Sequence, residues 1–183
     1  MGAGDALFFL IKVLFDLYLS ALLLRILLQL TRADFYNPLS QLVWKVTNPP
    51  VQPLRALVPR YQNLDTAALL VLFVVAAIYV ALVNSMLTTS VSILVLVWFT
   101  LLKCVVLTIN FYTLSLFVQA ILSWMGPGGN NPAAALLWSL NEPLLKPVRR
   151  FIPAISGFDL SPLAVMLALQ VLIRLVPLPV LFR

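Results

Sequence analysis

The chain has no histidine, a single cysteine, and charge on only 10% of its 183 residues. Without histidine it lacks the commonest acid–base group and the commonest metal ligand. One cysteine, Cys104, excludes an intramolecular disulfide; it sits inside an apolar run, where a thiol behaves as a small hydrophobe. A soluble domain carries about 25% charged residues. The charge here cannot solvate a globule of this size, and 62% of the residues are hydrophobic, with a mean hydropathy of +1.05. These values describe an integral membrane protein. Neither a nucleophile–base pair nor a pair of acids within the apolar segments is present, so the expectation is a chain that is not an enzyme and carries no metal or cofactor. The net charge is +6, but the basic residues are not clustered, which argues against a nucleic-acid partner. The N-terminus has Asp5 where a cleaved leader has a basic region, and Lys12 and Asp16 interrupt its apolar stretch, so the first segment reads as a retained span.

What the chain does have is an internal repeat, the feature that fixes an architecture before any other. Sliding residues 37–65 forward by 94 positions without a gap gives nine identities. Asn37, Pro38, Leu42, Trp44, Pro49, Pro53, Arg55, Pro59 and Asp65 fall on Asn131, Pro132, Leu136, Trp138, Pro143, Pro147, Arg149, Pro153 and Asp159. Each copy has apolar stretches on both sides. A helix needs about 20 apolar residues to cross a bilayer, and four segments qualify: 6–30, 66–87, a part of 91–124, and 160–177. Helices are required because these runs do not alternate as barrel strands do. The third segment is longer than one crossing, so the crossing part is expected near 102–124, with 91–101 a tilted or interfacial extension. The expected fold is therefore all-α, with four transmembrane helices in two tandem, same-orientation repeats: residues 1–87, a linker over 88–99, and residues 100–183.

Within each repeat, the elbow between the spans (31–64 and 125–158) is the more informative part. Asn37-Pro38 and Asn131-Pro132 read as a cap followed by proline at the first helical position. Leu39, Leu42, Val43 and Val46, and then Ala133, Leu136, Leu137 and Leu140, recur at helical spacing. Pro49 and Pro143 are expected to end these helices and Pro59 and Pro153 to end a second short pair, which gives two amphipathic helices per elbow lying on the membrane surface. Gly126-Pro127-Gly128-Gly129 reads as a flexible turn, without the Gly-Lys-Ser/Thr ending of a phosphate loop. The elbows hold Arg32, Lys45, Arg55, Arg60, Lys146, Arg149 and Arg150, seven of the twelve basic residues. The positive-inside rule places both elbows in the cytoplasm and both termini outside.

The stretches DFYNPLSQLVWKVTNPPVQPLRALVP and NPAAALLWSLNEPLLKPVRRFIPAISGFDLSP resemble the two copies of the YggT family repeat. The resemblance covers nearly the whole chain and implies a small multi-pass protein of the bacterial inner membrane. The family's implied roles are osmotic or ion homeostasis, cell division, and in plastids haem attachment to a cytochrome b. No catalytic residues come with it. The first copy departs from the second at Gln52, which faces Lys146, and at Ala56, which faces Arg150.

Charges within spans are costly and are candidate functional groups. Asp16 and Asn110, and likewise Arg25 and Gln119, occupy matching positions of the two repeats. They form either a polar seam serving as an ion path or a set of interhelical hydrogen bonds, the second being favoured. Lys12, one turn before Asp16, is the expected neutralising partner, and Lys103 and Arg174 are expected to snorkel from span ends. Arg55 with Asp65, and Arg149 with Asp159, recur at a ten-residue separation. They read as pins between elbow and span, or with Arg150 as seats for anionic lipid. Two functions follow: a non-enzymatic scaffold or assembly factor with a basic cytoplasmic platform, or a small channel or transporter. Expected partners are the bilayer, anionic lipids, and membrane proteins or further copies of the chain.

Overall fold

The computed structural model describes residues 2–56, 58–59, 64–86, 91–124, 131–152 and 159–182. The turn at Gly126–Gly129, the end of the second elbow at Pro153, and Arg60 lie outside these residues. Six α-helices carry the fold: α1 (Ala3–Leu30), α2 (Pro38–Leu54), α3 (Thr66–Met86), α4 (Ile93–Trp124), α5 (Pro132–Arg149) and α6 (Ser161–Leu175). A 3₁₀ turn follows at Val180–Phe182. In the first half α1, α2 and α3 pack on one another, and in the second half α4, α5 and α6 do the same; α3 and α1 also pack on α4.

Three helices, α1, α3 and α4, are long and apolar enough to cross a membrane. Leucine, valine and alanine surround α3 on all sides, as a helix buried in lipid and protein requires. The fourth expected span is shorter than anticipated. Helix α6 has 15 residues, about 22 Å at 1.5 Å per residue, against about 30 Å of hydrocarbon. It stops before Pro177, and the following chain returns to the bundle, where Phe182 packs on Phe99 with ring centroids 5.2 Å apart. In the third segment α4 runs unbroken for 32 residues and takes in residues 93–101 as part of the same helix. Nothing in 91–101 breaks a helix, since it holds neither proline nor glycine.

The caps form as the sequence indicates. Asn37 Oδ1 accepts from the Leu39 amide at 3.0 Å, and Asn131 Oδ1 accepts from the Ala133 amide at 3.0 Å. The elbows themselves need correction. Each is one continuous helix through its prolines, not two, with Pro49, Pro50 and Pro53 inside α2 and Pro143 and Pro147 inside α5. A proline inside a helix removes a hydrogen bond and costs about 3 kcal/mol. Packing offsets that cost. Ser40, Thr47 and Val51, with the half-buried Val43 and Leu54, form one inward stripe that continues past the prolines, and Leu136, Leu140, Leu145 and Val148 do so in α5. Pro49, Pro53, Pro143 and Pro147 lie on the exposed side. The stripe expected in α2 is mostly turned outward: Leu39, Leu42 and Val46 are exposed, because the inward face must offer polar groups to α1.

Helix α1 ends in a Schellman turn. The Ala33 amide donates to Leu28 O at 2.9 Å and the Arg32 amide to Gln29 O at 3.2 Å. Arg32 has φ 53°, the left-handed conformation that glycine normally supplies, at a cost of about 1–2 kcal/mol for a residue with a side chain.

If α2 is held through its prolines by packing, Pro53→Ala restores an amide able to bond the Pro49 carbonyl. Unfolding in denaturant should then show a gain of about 1–3 kcal/mol. A loss of stability would mean that the elbow requires a break at this position.

Candidate functional site

In lipid, apolar side chains provide little net force between helices, so buried polar contacts bear much of the specificity. The described residues contain three such clusters. The first joins α1, α2 and the start of α3. Arg25, on the last two turns of α1, donates from Nη1 to Thr47 Oγ1 at 2.9 Å, and its Nη2 lies 3.4 Å from Asp65 Oδ2. Thr47 donates in turn to Val43 O at 2.6 Å. Arg55 Nη2 donates to the same Asp65 oxygen, while Asp65 Oδ1 accepts from the Ala68 amide at 3.3 Å. Asp65 thus caps α3 and carries two arginines. The side chains of Arg25 and Asp65 are 5% and 1% exposed, so Asp65 is buried and Arg25 nearly so.

The second cluster uses the matching positions of the other repeat. Gln119 stands for Arg25 and Asn141 for Thr47, and they still meet: Asn141 Nδ2 donates to Gln119 Oε1 at 2.7 Å. Ser115 donates to Asn141 Oδ1 at 2.7 Å. Arg149 Nε donates to Asp159 Oδ2 at 2.9 Å, the match of Arg55 with Asp65, and Arg149 also pairs with Glu142 at 2.8 Å. Asp159 Oδ1 accepts from the Ser161 amide at 2.9 Å. What is one charged network in the first unit is therefore divided in the second, into a neutral buried triad and a partly exposed ion pair.

The third cluster links the two units. Lys103 Nζ donates to Asp16 Oδ1 at 2.6 Å and lies 4.5 Å from the ring centroid of Tyr79. Lys103 is 2% exposed, so it does not snorkel. It, rather than Lys12, forms the ion pair with Asp16. Asn110, the register match of Asp16, is exposed on the outside of α4 and joins none of these clusters. Arg150 is exposed at the C-terminal end of α5, and Arg174 is exposed on α6. The hydroxyl of Tyr79 is buried and finds no hydrogen-bond partner among the described residues. The four polar-seam residues are thus distributed over three clusters and one outer surface rather than along one line.

Reading the sequence missed Thr47, Asn141, Ser115 and Lys103. The first two carried a signal, since both are polar at the same repeat position on an otherwise apolar stripe. Lys103 carried none, because its register match is Phe9. The arrangement suits the tying together of helices. Among the described residues no group of three or more metal-ligating side chains occurs.

Burial by itself would raise the pKa of Asp65, but the hydrogen bond and charge of Arg55, the Ala68 amide and the charge of Arg25 outweigh it and hold the carboxyl below its ordinary value. Asp159 is lowered in the same way, with Ser161 and Arg149 overcoming burial. A carboxyl whose folded pKa lies below its unfolded value adds stability above the unfolded pKa, and that stability is lost as pH falls through the folded pKa. Detergent-solubilised protein should therefore lose stability below about pH 4. Asp65→Ala, which strands two arginines beside a buried site, should cost about 3–5 kcal/mol and flatten that acid dependence. Asp159→Ala, in a more exposed pair, should cost about 1 kcal/mol. Equal losses from the two variants would contradict the difference in burial.

The comparisons with known proteins agree with the repeat. The CCB3/YggT family matches the chain twice, over residues 4–86 and 91–180. A protein of Pseudomonas aeruginosa is 36% identical over 178 residues, covering 96% of this chain and 90% of its own length. A protein of Vibrio alginolyticus, named for its place in the 3′ region of proC, is 40% identical over 171 residues, covering 91% of this chain and 90% of its own. YggT of Escherichia coli K12 is 39% identical over 168 residues, covering 92% of this chain and 87% of its own. No solved structure matches. With two tandem matches that take in nearly all of its length, and three apolar helices able to span a bilayer, the chain belongs to the CCB3/YggT family of membrane proteins.

Proposed function

We propose that the chain is a non-enzymatic, multi-pass scaffold or assembly factor of the bacterial inner membrane, whose two elbows form a basic cytoplasmic platform. The observation that carries this reading is the mutual pairing of the buried polar groups. Arg25, Asp65, Gln119, Asn141 and Lys103 each bond a side chain of another element, which ties helices together and leaves, among the described residues, no row of polar groups facing a common path. The platform is supported by Lys45, Lys146 and Arg150, all exposed on or beside α2 and α5. In this reading α6 completes a fourth crossing, and the repeats share one orientation about an axis along the membrane normal. The positive-inside rule puts the elbows in the cytoplasm and both termini in the periplasm. The exposed Leu39, Leu42 and Val46 of α2 then face the acyl boundary. Its partners would be anionic lipids and membrane proteins, or further copies of the chain.

A second reading, a small channel or transporter acting in osmotic or ion homeostasis, is favoured by one observation. Asp16, midway along α1, keeps 32% of its side chain exposed while pairing with the buried Lys103, beside the Tyr79 hydroxyl, which has no partner among the described residues. An ion pair with one accessible member inside a span is where a proton or cation would be exchanged.

Flux of potassium, sodium and protons in proteoliposomes separates the two, with Asp16→Asn as the control. The scaffold reading expects flux no greater than in empty liposomes from folded, correctly inserted protein. Flux that Asp16→Asn abolishes while the variant stays folded would replace it with transport.

A further inference from the structure

Between the C-terminal end of α1 and the inward face of α2 lies a cavity of about 310 Å³. Its walls include Arg25, Arg32 and Arg55, together with Gln29, Ser40 and Trp44, and among the described residues no carboxylate. Asp65 neutralises one charge of the Arg25–Arg55 couple from outside the cavity, and Asp34, between the wall residues Ala33 and Phe35, offsets another, so the three arginines still leave a net positive charge. The Nε of Arg55 is buried and finds no hydrogen-bond partner among the described residues. The Arg25 guanidinium lies 5.9 Å from the Trp44 ring centroid, which holds its plane at the cavity wall. A cavity walled by three arginines, with surplus positive charge and polar neighbours, suits a tetrahedral oxyanion, since guanidinium forks match phosphate oxygens.

Arg32 adds an independent argument. It occupies the left-handed position that closes α1, where glycine is the undemanding choice. At the matching position of the second repeat, 94 residues on, the sequence does have glycine, Gly126. Arg25 and Ser40 likewise become Gln119 and Ala134 there. The first copy thus retains a cation at a strained position, on the cavity wall, where its own duplicate does without one. Arg32 forms no ion pair among the described residues. Phe35 lines the cavity and gives it an apolar margin, and the exposed Tyr36, Leu39 and Leu42 lie on the same segment.

We propose that this cavity seats the phosphate of an anionic phospholipid headgroup, with Arg25, Arg32 and Arg55 as its ligands. The inference rests on the elbows lying at the membrane surface, and it holds whether the chain is a scaffold or a transporter.

The test is binding of dioctanoyl phosphatidylglycerol, dioctanoyl phosphatidylcholine and inorganic phosphate to the purified full chain in non-ionic detergent, followed by microscale thermophoresis. Saturable binding of the glycerol lipid is expected, with the zwitterionic lipid much weaker. Inorganic phosphate should compete only weakly, since it lacks chains for the apolar margin. Arg32→Gly and Arg32→Gln should each weaken the anionic lipid by about tenfold or more, as loss of one charged hydrogen-bonding ligand does. Arg174→Gln, an exposed cation on α6 outside the elbows and the cavity, should leave it within about twofold. Arg32→Gly should at the same time raise the midpoint of thermal unfolding without lipid by about 2–4 °C, by relieving the left-handed arginine. Unchanged lipid affinity in a folded Arg32→Gly protein would overturn the proposal. So would equal losses from Arg174→Gln, which would mean diffuse surface attraction. Phosphate binding as tight as the lipid would transfer the site to a free phosphate compound.

Discussion

The fold depends on a single kind of contact: a polar side chain late in a spanning helix meeting a polar side chain on the elbow helix that follows. Arg25 meets Thr47, and Gln119 meets Asn141. In an apolar solvent these groups have no water to return to, so an unmade contact leaves a donor or acceptor stranded. This makes the angle between span and elbow something the sequence specifies rather than something packing alone would settle. The elbow prolines are tolerated for the same reason. Once the inward stripe is fixed at Thr47 or Asn141, the helix beyond it remains docked even where backbone bonds are missing.

On that shared frame the two units have diverged in charge. In the first, two arginines converge on one carboxylate. In the second, an amide–amide–hydroxyl triad does the buried work, and the charged pair moves toward solvent. The positions stayed coupled while the chemistry changed, as expected if geometry is held and electrostatics is free to vary. Asn37 joins the units at their elbows, its Nδ2 donating to Pro132 O at 2.7 Å. Lys103 and Asp16 join them along the spans.

Much of this was legible in the sequence because membrane helices obey strong rules. Length and hydropathy located α1, α3 and α4, and the two Asn-Pro pairs located the starts of α2 and α5. The elbow prolines misled, because their local cost is visible in sequence while the packing that outweighs it is not. The α2 stripe was legible as helix but not as to facing, since its inward side is chosen by the charges of α1. Among polar residues, the repeat register singled out Arg25 with Gln119, and Arg55–Asp65 with Arg149–Asp159. The partner expected for Asp16, Lys12, came from helical spacing, and register offered no alternative. Register finds what two units do alike, and the contact between unlike surfaces of the units has no counterpart to be compared with. The same blindness hid the cavity, whose walls include Arg25, Arg32 and Ser40, which the second copy replaces.

That last contact has an implication for how the protein could have come from two separate chains. Lys103 reaches Asp16 from a position that the first unit fills with Phe9, and Asp16 itself corresponds to the outward-facing Asn110. Two copies of the first unit would therefore offer the aspartate an aromatic ring, and two copies of the second would leave the lysine with an amide. Each half is chemically incomplete beside its own kind and complete beside the other. Joining them in one polypeptide does more than save an encounter: it fixes a one-to-one stoichiometry of unlike halves, which a self-associating single repeat could not maintain.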